Sequence, residues 1–155
     1  MNLTPDWEYV ADRVMGGVSS GQISAEVVEG QDATRLTGDV SLDNNGGFVQ
    51  MAFDLQPDGS AFDASAFEGV EISVFGNGEA YDLRLRTDQL TRPWQSFRTD
   101  FNAPPEWTTL RIPFDTFQSH KTDATFDPAR LRRIGILAIG REFSADVSVA
   151  RIALY

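Results

Sequence analysis

The chain has 155 residues, of which 41% are hydrophobic and 11% aromatic, so we expect one domain over residues 1–155 whose core needs neither disulfides nor metal. It contains no cysteine, which excludes a disulfide framework, a thiol nucleophile and any zinc site that requires sulfur. Its 23 acidic and 13 basic residues give a net charge of −10, which argues against nucleic acid and anionic lipid as partners.

The opening segment, MNLTPDWEYV, has neither the basic region nor the apolar run of a targeting sequence. No apolar run in the chain approaches the roughly 18 residues that a membrane helix requires. We therefore expect a cytoplasmic protein that does not insert into a membrane.

Apolar and polar residues alternate with period two through most of the chain, which is the pattern of half-buried β-strands. The segments with this character are QISAEVV (22–28), TRLTGDVSL (34–42), FVQMAFDL (48–55), GVEISVFG (69–76), AYDLRLRT (80–87), WTTLRIPF (107–114), RIGILAIG (133–140) and DVSVARIALY (146–155). Their expected inward residues include Leu36, Val40, Leu42, Val49, Met51, Phe53, Leu55, Val70, Ile72, Val74, Tyr81, Leu83 and Leu85. Residues 133–140 are apolar at both odd and even positions, which predicts a central strand covered on both faces.

Turn residues separate these strands, and helix signals are scarce. Asn, Asp, Gly and Pro cluster in DNNGG, QPDGS, GNGE and NAPPE, as tight turns require. One short helix is predicted at DPARLRRI, with Asp127 as N-cap and Pro128 at the first helical position. Residues 115–130 read as a crossover loop. The sequence therefore predicts an all-β antiparallel β-sandwich with jelly-roll connections.

Two features of the sequence bear on catalysis: a serine motif and the number of carboxylates. GVSSG, at 17–21, matches the G-x-S-x-G pattern of hydrolases with Ser19 at its centre. That motif requires a strand–turn–helix junction, whereas a strand is predicted here after the turn, and His120 is the only histidine available as a base. Carboxylate pairs cannot be chosen by spacing among so many acids. A small hydrolase is accordingly the least favoured function, and we name no catalytic residue and expect no enzyme activity and no cofactor.

The DNNGG turn carries oxygen ligands that suit calcium. Asp43 and Asn45 are the candidate ligands, although the turn lacks the alternating acids and terminal Glu of an EF-hand loop. The alternative is a turn in which Asn tolerates a positive φ and the glycines reverse the chain. We favour the turn and predict no metal site.

Arginines and a tryptophan are predicted on the polar side of the sheet. Guanidinium groups beside an aromatic ring can hydrogen-bond to and stack on a ligand or partner. The candidate binding residues are Arg84, Arg86, Trp94, Arg98 and Gln50. The alternative is a solvated outer face on which these arginines pair with carboxylates such as Asp82.

Taken in order, several motifs resemble the complex I intermediate-associated protein 30 family. They are DRVMGGVSSG (12–21), LTGDVSLDNNGGFVQM (36–51), YDLRLRT (81–87), WTTLRIPFDTF (107–117) and RRIGILAIGREFSADVSVARIAL (132–154). The family pattern carries over to Asp12, Arg13, Met15, Gly16, Gly17, Ser19, Asn45, Gly46, Gly47, Phe48, Tyr81, Leu83 and Arg86.

The resemblance implies a galactose-binding-domain-like jelly roll, related in architecture to carbohydrate-binding modules. It also implies a non-catalytic module that acts as an assembly factor or chaperone-like accessory, with a protein partner such as an intermediate of a membrane complex. The alternative is a carbohydrate- or small-ligand-binding module that uses the face carrying Arg84, Arg86 and Trp94. In the first motif, Asp12 and Arg13 are expected to tie down a corner whose glycines pass close under the NNGGF loop.

Overall fold

The computed structural model describes the backbone of all 155 residues and the side chains of all except Val14, Met15 and Asn45. Over this backbone the chain forms eleven strands and four short 3-10 segments. The strands are β1 (Glu8–Ala11), β2 (Ser20–Val28), β3 (Gln31–Val40), β4 (Phe48–Asp54), β5 (Gly69–Phe75), β6 (Ala80–Thr87), β7 (Ser96–Asn102), β8 (Thr108–Pro113), β9 (Gln118–His120), β10 (Leu131–Ile139) and β11 (Phe143–Leu154). The 3-10 segments are Asp12–Met15, Asp43–Asn45, Phe114–Thr116 and Pro128–Arg130. Across the described residues, no helix has the length and apolar character that crossing a bilayer requires.

The strands form two antiparallel sheets that enclose one core. The six-stranded sheet has the order β1-β4-β10-β6-β7-β9, and the five-stranded sheet has the order β2-β3-β11-β5-β8. The core contains Met51 and Phe53 of β4, Ile134 and Ile136 of β10, and Ile72 of β5, each no more than 2% exposed. Burial of one such side chain stabilises the fold by about 1.5–3 kcal/mol. The predicted all-β sandwich with a jelly-roll architecture is confirmed.

Each of the eight predicted strand segments coincides with an observed strand to within a few residues. Leu42 was expected to face inward and does not: it lies after the end of β3 and is 46% exposed. The predicted helix at DPARLRRI is reduced to the 3-10 turn Pro128–Arg130, in which the Asp127 side chain accepts a hydrogen bond from the Ala129 N–H. Strand β10 begins at Leu131 because this segment pairs with both β4 and β6, and that pairing overrides the local helix signal.

Three further strands lie outside the eight predicted segments. They are β1, β7 and the three-residue β9, which interrupts the predicted crossover loop. The edge strands β1 and β9 each pair with one neighbour only, so their formation depends on the sheet that they extend.

The outer face of the five-stranded sheet is closed by ion pairs. Arg35 bridges two carboxylates, one on β2 and one on β11, at 2.9 and 2.7 Å. Glu71 on β5 bonds to both Arg111 and Arg151. On this face each of these arginines therefore has a carboxylate partner.

Candidate functional site

Arginines gather on the outer face of the six-stranded sheet, where β10, β6 and β7 lie side by side. Alternation along β6 sends Leu83 and Leu85 into the core and leaves the two arginines of the LRLRT segment on the opposite side. We call this surface the arginine face and define it by Gln50, Arg84, Arg86, Arg98 and Arg133.

The strand register places like charges directly opposite each other on this face. Arg84 of β6 pairs in register with Arg98 of β7, and Arg86 pairs in register with Arg133 of β10. Like charges in cross-strand pairs are unfavourable, so this arrangement requires compensation from nearby carboxylates or from a ligand.

One buried carboxylate serves the first arginine pair. Asp82, which is 6% exposed, accepts bonds from Nε and Nη2 of Arg98 at 2.8 and 2.7 Å. It also accepts bonds from Nε and Nη2 of Arg84 at 3.0 and 2.8 Å. Burial by itself would raise the pKa of Asp82, but the bonds and charges of the two arginines outweigh it, and the pKa is lowered. One negative charge is thus shared between two guanidinium groups.

Arg86 bonds to backbone carbonyls instead of a carboxylate. Its Nη1 and Nη2 donate to the carbonyl oxygens of Pro93 and Arg92, both at 3.1 Å, and so hold the loop that carries Trp94. Burial lowers the pKa of Arg86, and the positive charges of Arg132 and Arg133 lower it further. Trp94 is 56% exposed, and the Arg92 guanidinium lies 6.0 Å from the centre of its ring.

Three of these arginines line a small recess of about 40 Å³ in the arginine face. The described residues that line it are Gln50, Arg84, Arg86, Ser96, Arg133, Gly135 and Leu137, none of which is acidic. A Cβ on Gly135 would lie 2.6 Å from the Gln50 Nε2 atom, so the absence of a side chain at this position lets the glutamine lie across β10. Leu137, 5% exposed, adds an apolar wall. The face of β10 that carries Gly135 and Leu137 is thus covered by neighbouring side chains.

A second, more open depression adjoins this recess along the sheet. Asp82, Arg84, Arg98 and His120 are among its lining residues. Burial lowers the pKa of His120, and the charges of Arg84, Lys121 and Arg98 add to that effect while Asp82 opposes it. The cationic surface therefore disfavours protonation of the imidazole.

Asp12 is the centre of a different cluster, at the corner formed by the first family motif. Its carboxylate is fully buried and accepts four hydrogen bonds: from the Ser19 N–H at 3.0 Å, the Ser19 hydroxyl at 2.6 Å, the Gly47 N–H at 2.5 Å and the Phe48 N–H at 3.3 Å. Burial alone would raise the pKa of Asp12, but these four bonds outweigh it and lower the pKa. The carboxylate thereby joins the corner at 12–19 to the NNGGF loop.

Glycines allow the two segments to approach Asp12. A Cβ on Gly17 would lie 2.5 Å from Asp12 Cγ, and a Cβ on Gly46 would lie 2.4 Å from Oδ2. Gly16, with φ +86°, adopts the left-handed conformation that ends the preceding 3-10 segment. Arg13 is exposed, and its Nε lies 3.4 Å from the Ser19 carbonyl oxygen.

Other predicted site residues have separate places. Met15 and Asn45 lie outside the described side chains, so the calcium prediction at Asp43 and Asn45 stays untested; among the described residues no cluster of three acidic or histidine ligands occurs. Tyr81 is buried and joins the sheets, since its hydroxyl donates to Asn77 Oδ1 at 2.6 Å and accepts from the Asp146 N–H at 2.9 Å. Trp94 does not line the recess with Arg84 and Arg86.

The hydrolase interpretation of Ser19 is contradicted. Ser19 is fully buried, and its hydroxyl donates to Asp12 and accepts from the Ser41 N–H at 2.8 Å. Strand β2 follows it directly, where a nucleophile elbow requires a helix. The histidine required as a base lies in β9, at the opposite edge of the six-stranded sheet from β1, which leads into the Asp12 corner. The serine is a structural ligand of Asp12.

Sequence reasoning missed several members of the arginine face. Arg133, Gly135 and Ser96 line the recess, whereas the pairing of Asp82 with arginines was among the alternatives that the sequence offered. The sequence does contain a signal for two of them. Ile134 and Ile136 alternate with Arg133 and Gly135 along residues 133–136, which places Arg133 and Gly135 together on the other face of the strand. Which strands are neighbours is set by the topology, and local pattern does not give it.

Solved structures with a similar fold include carbohydrate-binding modules. Similar solved structures include a family 11 carbohydrate-binding module from Clostridium thermocellum in complex with a β-1,3-1,4-mixed-linked tetrasaccharide, with 15% identity, a TM-score of 0.77, and coverage of 99% of this chain and 93% of that chain. The family 11 module of the cellulosomal cellulase Lic26A-Cel5E of the same organism has 14% identity, a TM-score of 0.76, and coverage of 96% and 86%. A family 30 module of the Clostridium thermocellum cellulase Cel9D-Cel44B has 15% identity, a TM-score of 0.63, and coverage of 86% and 82%. At these identities the likeness concerns the fold.

The chain belongs to the complex I intermediate-associated protein 30 (CIA30) family, whose model matches residues 1–148. No curated protein matches the chain at a significant level.

Proposed function

We propose that this protein is a non-catalytic binding module that acts as an assembly factor or chaperone-like accessory protein and holds a protein partner through the arginine face. Membership of the CIA30 family supports the assembly role. The observation that carries the choice of surface is the state of Arg86, whose guanidinium group has only carbonyl partners among the described residues.

The opposite side of the sandwich provides the comparison. There Arg35 has two carboxylate partners, and Glu71 joins Arg111 and Arg151. Charges that are already paired gain little from a partner, whereas guanidinium groups without a full carboxylate complement gain hydrogen bonds on association. The arginine face is therefore the better protein-binding surface.

The test is capture of partners by the full chain in an extract of its source cells. Wild-type protein is compared with Arg84→Ala/Arg86→Ala, and Arg35→Ala/Arg111→Ala is the matched control on the opposite sheet. We expect a defined set of captured proteins that the first variant loses and the control retains. Capture of no protein above background, or an identical set for all three folded proteins, would contradict the proposal.

A second candidate function is carbohydrate binding at the same face. The exposed ring of Trp94 beside Arg92 favours it, because aromatic rings stack on sugars and guanidinium groups bond to their hydroxyls. The similar structures are carbohydrate-binding modules, one of them in complex with a mixed-linked tetrasaccharide, which adds support. Calorimetric titration with a glycan panel that includes mixed-linked β-1,3-1,4-glucan tests it. Binding that Trp94→Ala removes is the expected result, and uniformly null titrations would exclude this function.

A further inference from the structure

The recess in the arginine face has the chemistry of a site for a single anionic group. Its polar walls are Arg84, Arg86, Arg133, Gln50 and Ser96, all of which can donate hydrogen bonds. None of the described lining residues is acidic, although acidic residues outnumber basic ones by 23 to 13 in the chain. The lining therefore favours an anion over a neutral or cationic group.

The arginines retain donors that the protein does not use. Among the described residues, Arg86 bonds through Nη1 and Nη2 and leaves Nε without an acceptor. Arg133 uses Nη1 for both Asp54 and Glu8, which leaves its Nε and Nη2 available. Guanidinium groups present five donors in a planar fork, so an oxyanion in the recess can bond to more than one of them.

The size of the recess limits the occupant to a small end group. A volume of about 40 Å³ accommodates a few waters or one carboxylate, and it is too small for a sugar ring. The walls are also deep, since the Arg84 and Arg133 side chains are only 14% and 18% exposed. A carboxylate at the end of a flexible chain can reach the donors, whereas one attached directly to a pyranose ring would bring the ring against the walls.

We propose that this recess binds the side-chain carboxylate of an acidic residue, glutamate by its reach, on a partner protein. The proposal rests on the proposed function, because it names the chemical group that the arginine face recognises in its protein partner. Arg133 already has Glu8 and Asp54 as partners, so the inserted carboxylate supplies the carboxylate partner that Arg86 lacks among the described residues. Leu137 and Gly135 keep the floor of the recess apolar, which strengthens the ion pair by excluding water.

The experiment uses the full 155-residue chain with nitrogen-15 labelling and follows the arginine Nε–H and backbone signals by NMR during titration. The probe is a capped peptide of glutamates, compared with the matched glutamine peptide, an oligogalacturonide and inorganic phosphate. The variants are Arg86→Gln, which removes a wall charge, and Gly135→Ala, which places a methyl group in the recess and keeps every charge. Arg111→Gln on the opposite sheet is the control for loss of one positive charge.

Gly135→Ala is the variant that should keep the fold, because the one close contact of its methyl group is with the flexible end of Gln50, which can rotate away, and the Ala52 Cβ lies at an ordinary 3.4 Å. We expect the glutamate peptide to bind and the glutamine peptide not to bind. Arg86→Gln and Gly135→Ala should each weaken binding about ten- to hundredfold, and Arg111→Gln should not change it. If Arg86→Gln fails to fold, Gly135→Ala alone decides.

Three results would overturn the proposal: no binding of the glutamate peptide, equal binding of the two peptides, or unchanged binding by Gly135→Ala. Tighter binding of the oligogalacturonide or of phosphate than of the glutamate peptide would also overturn it, and would assign the recess to a glycan or a free anion. Failure of the proposed function is distinguishable. If capture of a partner depends on Arg84 and Arg86 but tolerates Gly135→Ala, the protein-binding function stands and the recess is not the carboxylate site. If the glutamate peptide binds but no partner is captured, the recess is a carboxylate site and the protein-binding function is rejected.

Discussion

Replacement of Asp12 by asparagine tests whether one buried carboxylate holds the first corner of the fold. The carboxylate is fully buried and accepts bonds from the Ser19 N–H and hydroxyl and from the N–H groups of Gly47 and Phe48. Asparagine has almost the same shape but only one acceptor oxygen, and its amide group is a donor. The substitution therefore changes the chemistry of the corner with little change in packing.

The magnitude follows from the donors that lose their acceptor. In its better orientation, the asparagine oxygen takes the place of Oδ2 and keeps the bonds from Gly47 and Phe48, while its NH₂ group faces the Ser19 N–H. One buried N–H left unsatisfied costs about 1–3 kcal/mol, and the remaining bonds lose the strength that the charge gave them. We expect Asp12→Asn to lower the free energy of unfolding by about 2–4 kcal/mol. Asp12→Ala removes the acceptor for all four donors, so it should cost about 3–6 kcal/mol.

The effect should depend on pH in one direction. The four hydrogen bonds hold the pKa of folded Asp12 below its ordinary value of about 3.9 despite burial. A carboxyl group whose pKa is lowered by folding adds stability above its unfolded pKa, and that stability is lost as the pH falls towards the folded pKa. The difference between wild type and Asp12→Asn should thus be full near neutral pH and shrink below about pH 4.

Urea denaturation followed by circular dichroism, at several pH values, measures both quantities. Subtraction of the asparagine variant from wild type removes the contributions of the other carboxylates, including those whose pKa is also lowered. A loss of stability below about 0.5 kcal/mol at neutral pH would refute the reasoning, since surface substitutions alone have that size. A loss that stays constant from neutral pH to about pH 3 would refute the electrostatic part of it.

Three further predictions concern the same framework. Gly46→Ala should destabilise the protein by about 2–4 kcal/mol in thermal or urea unfolding, because its Cβ would lie 2.4 Å from the Asp12 carboxylate. Gly16→Ala has open space around its Cβ, so it should cost only the roughly 1 kcal/mol of a positive φ. Equal losses of stability for the two variants would contradict this prediction. Asp82→Asn leaves Arg84 and Arg98 opposed without their shared counter-charge, so it should lower the free energy of unfolding by about 1–3 kcal/mol. This loss should be smaller in high salt, because salt screens the repulsion between the two arginines. An unchanged unfolding midpoint would contradict the prediction. Burial raises the pKa of the Tyr81 phenol to about 12, so ultraviolet titration of wild type minus Tyr81→Phe should show ionisation only near that pH; a titration near 10 in the folded protein would contradict it.

The sandwich could be predicted from the sequence because its strong strands carry their own signal. In β6 the alternation of Leu83 and Leu85 against Arg84 and Arg86 reports the buried and open sides directly, and the structure has the same division. The weak strands could not be predicted. Strand β9 has only three residues, all of them polar, and it forms because it pairs with β7 at the edge of the sheet.

The candidate site was predicted in part for a similar physical reason. The polar side of β6 is a local property, so Arg84 and Arg86 were found from alternation alone. Ser96 and Arg133 come from the strands on either side, and their approach is set by the strand order β10-β6-β7. The family resemblance places Asp12 at a corner beside the NNGGF loop, but its four hydrogen bonds depend on how that loop packs, which no local pattern specifies.

The register of the six-stranded sheet connects the fold to the proposed function. An irregularity between Leu131 and Arg133 shifts β10 so that Arg133 comes to lie opposite Arg86. Glu8 and Asp54 pair with Arg133, but the opposed Arg86 has no carboxylate partner among the described residues. A polar uncharged residue in place of Arg86 would complete the strand pairing without opposing like charges. Local arrangements that oppose stability concentrate where a protein binds or acts, because the ligand supplies the missing interaction. By this argument we propose the arginine face, where Arg86 has no carboxylate partner among the described residues, as the surface that a partner completes.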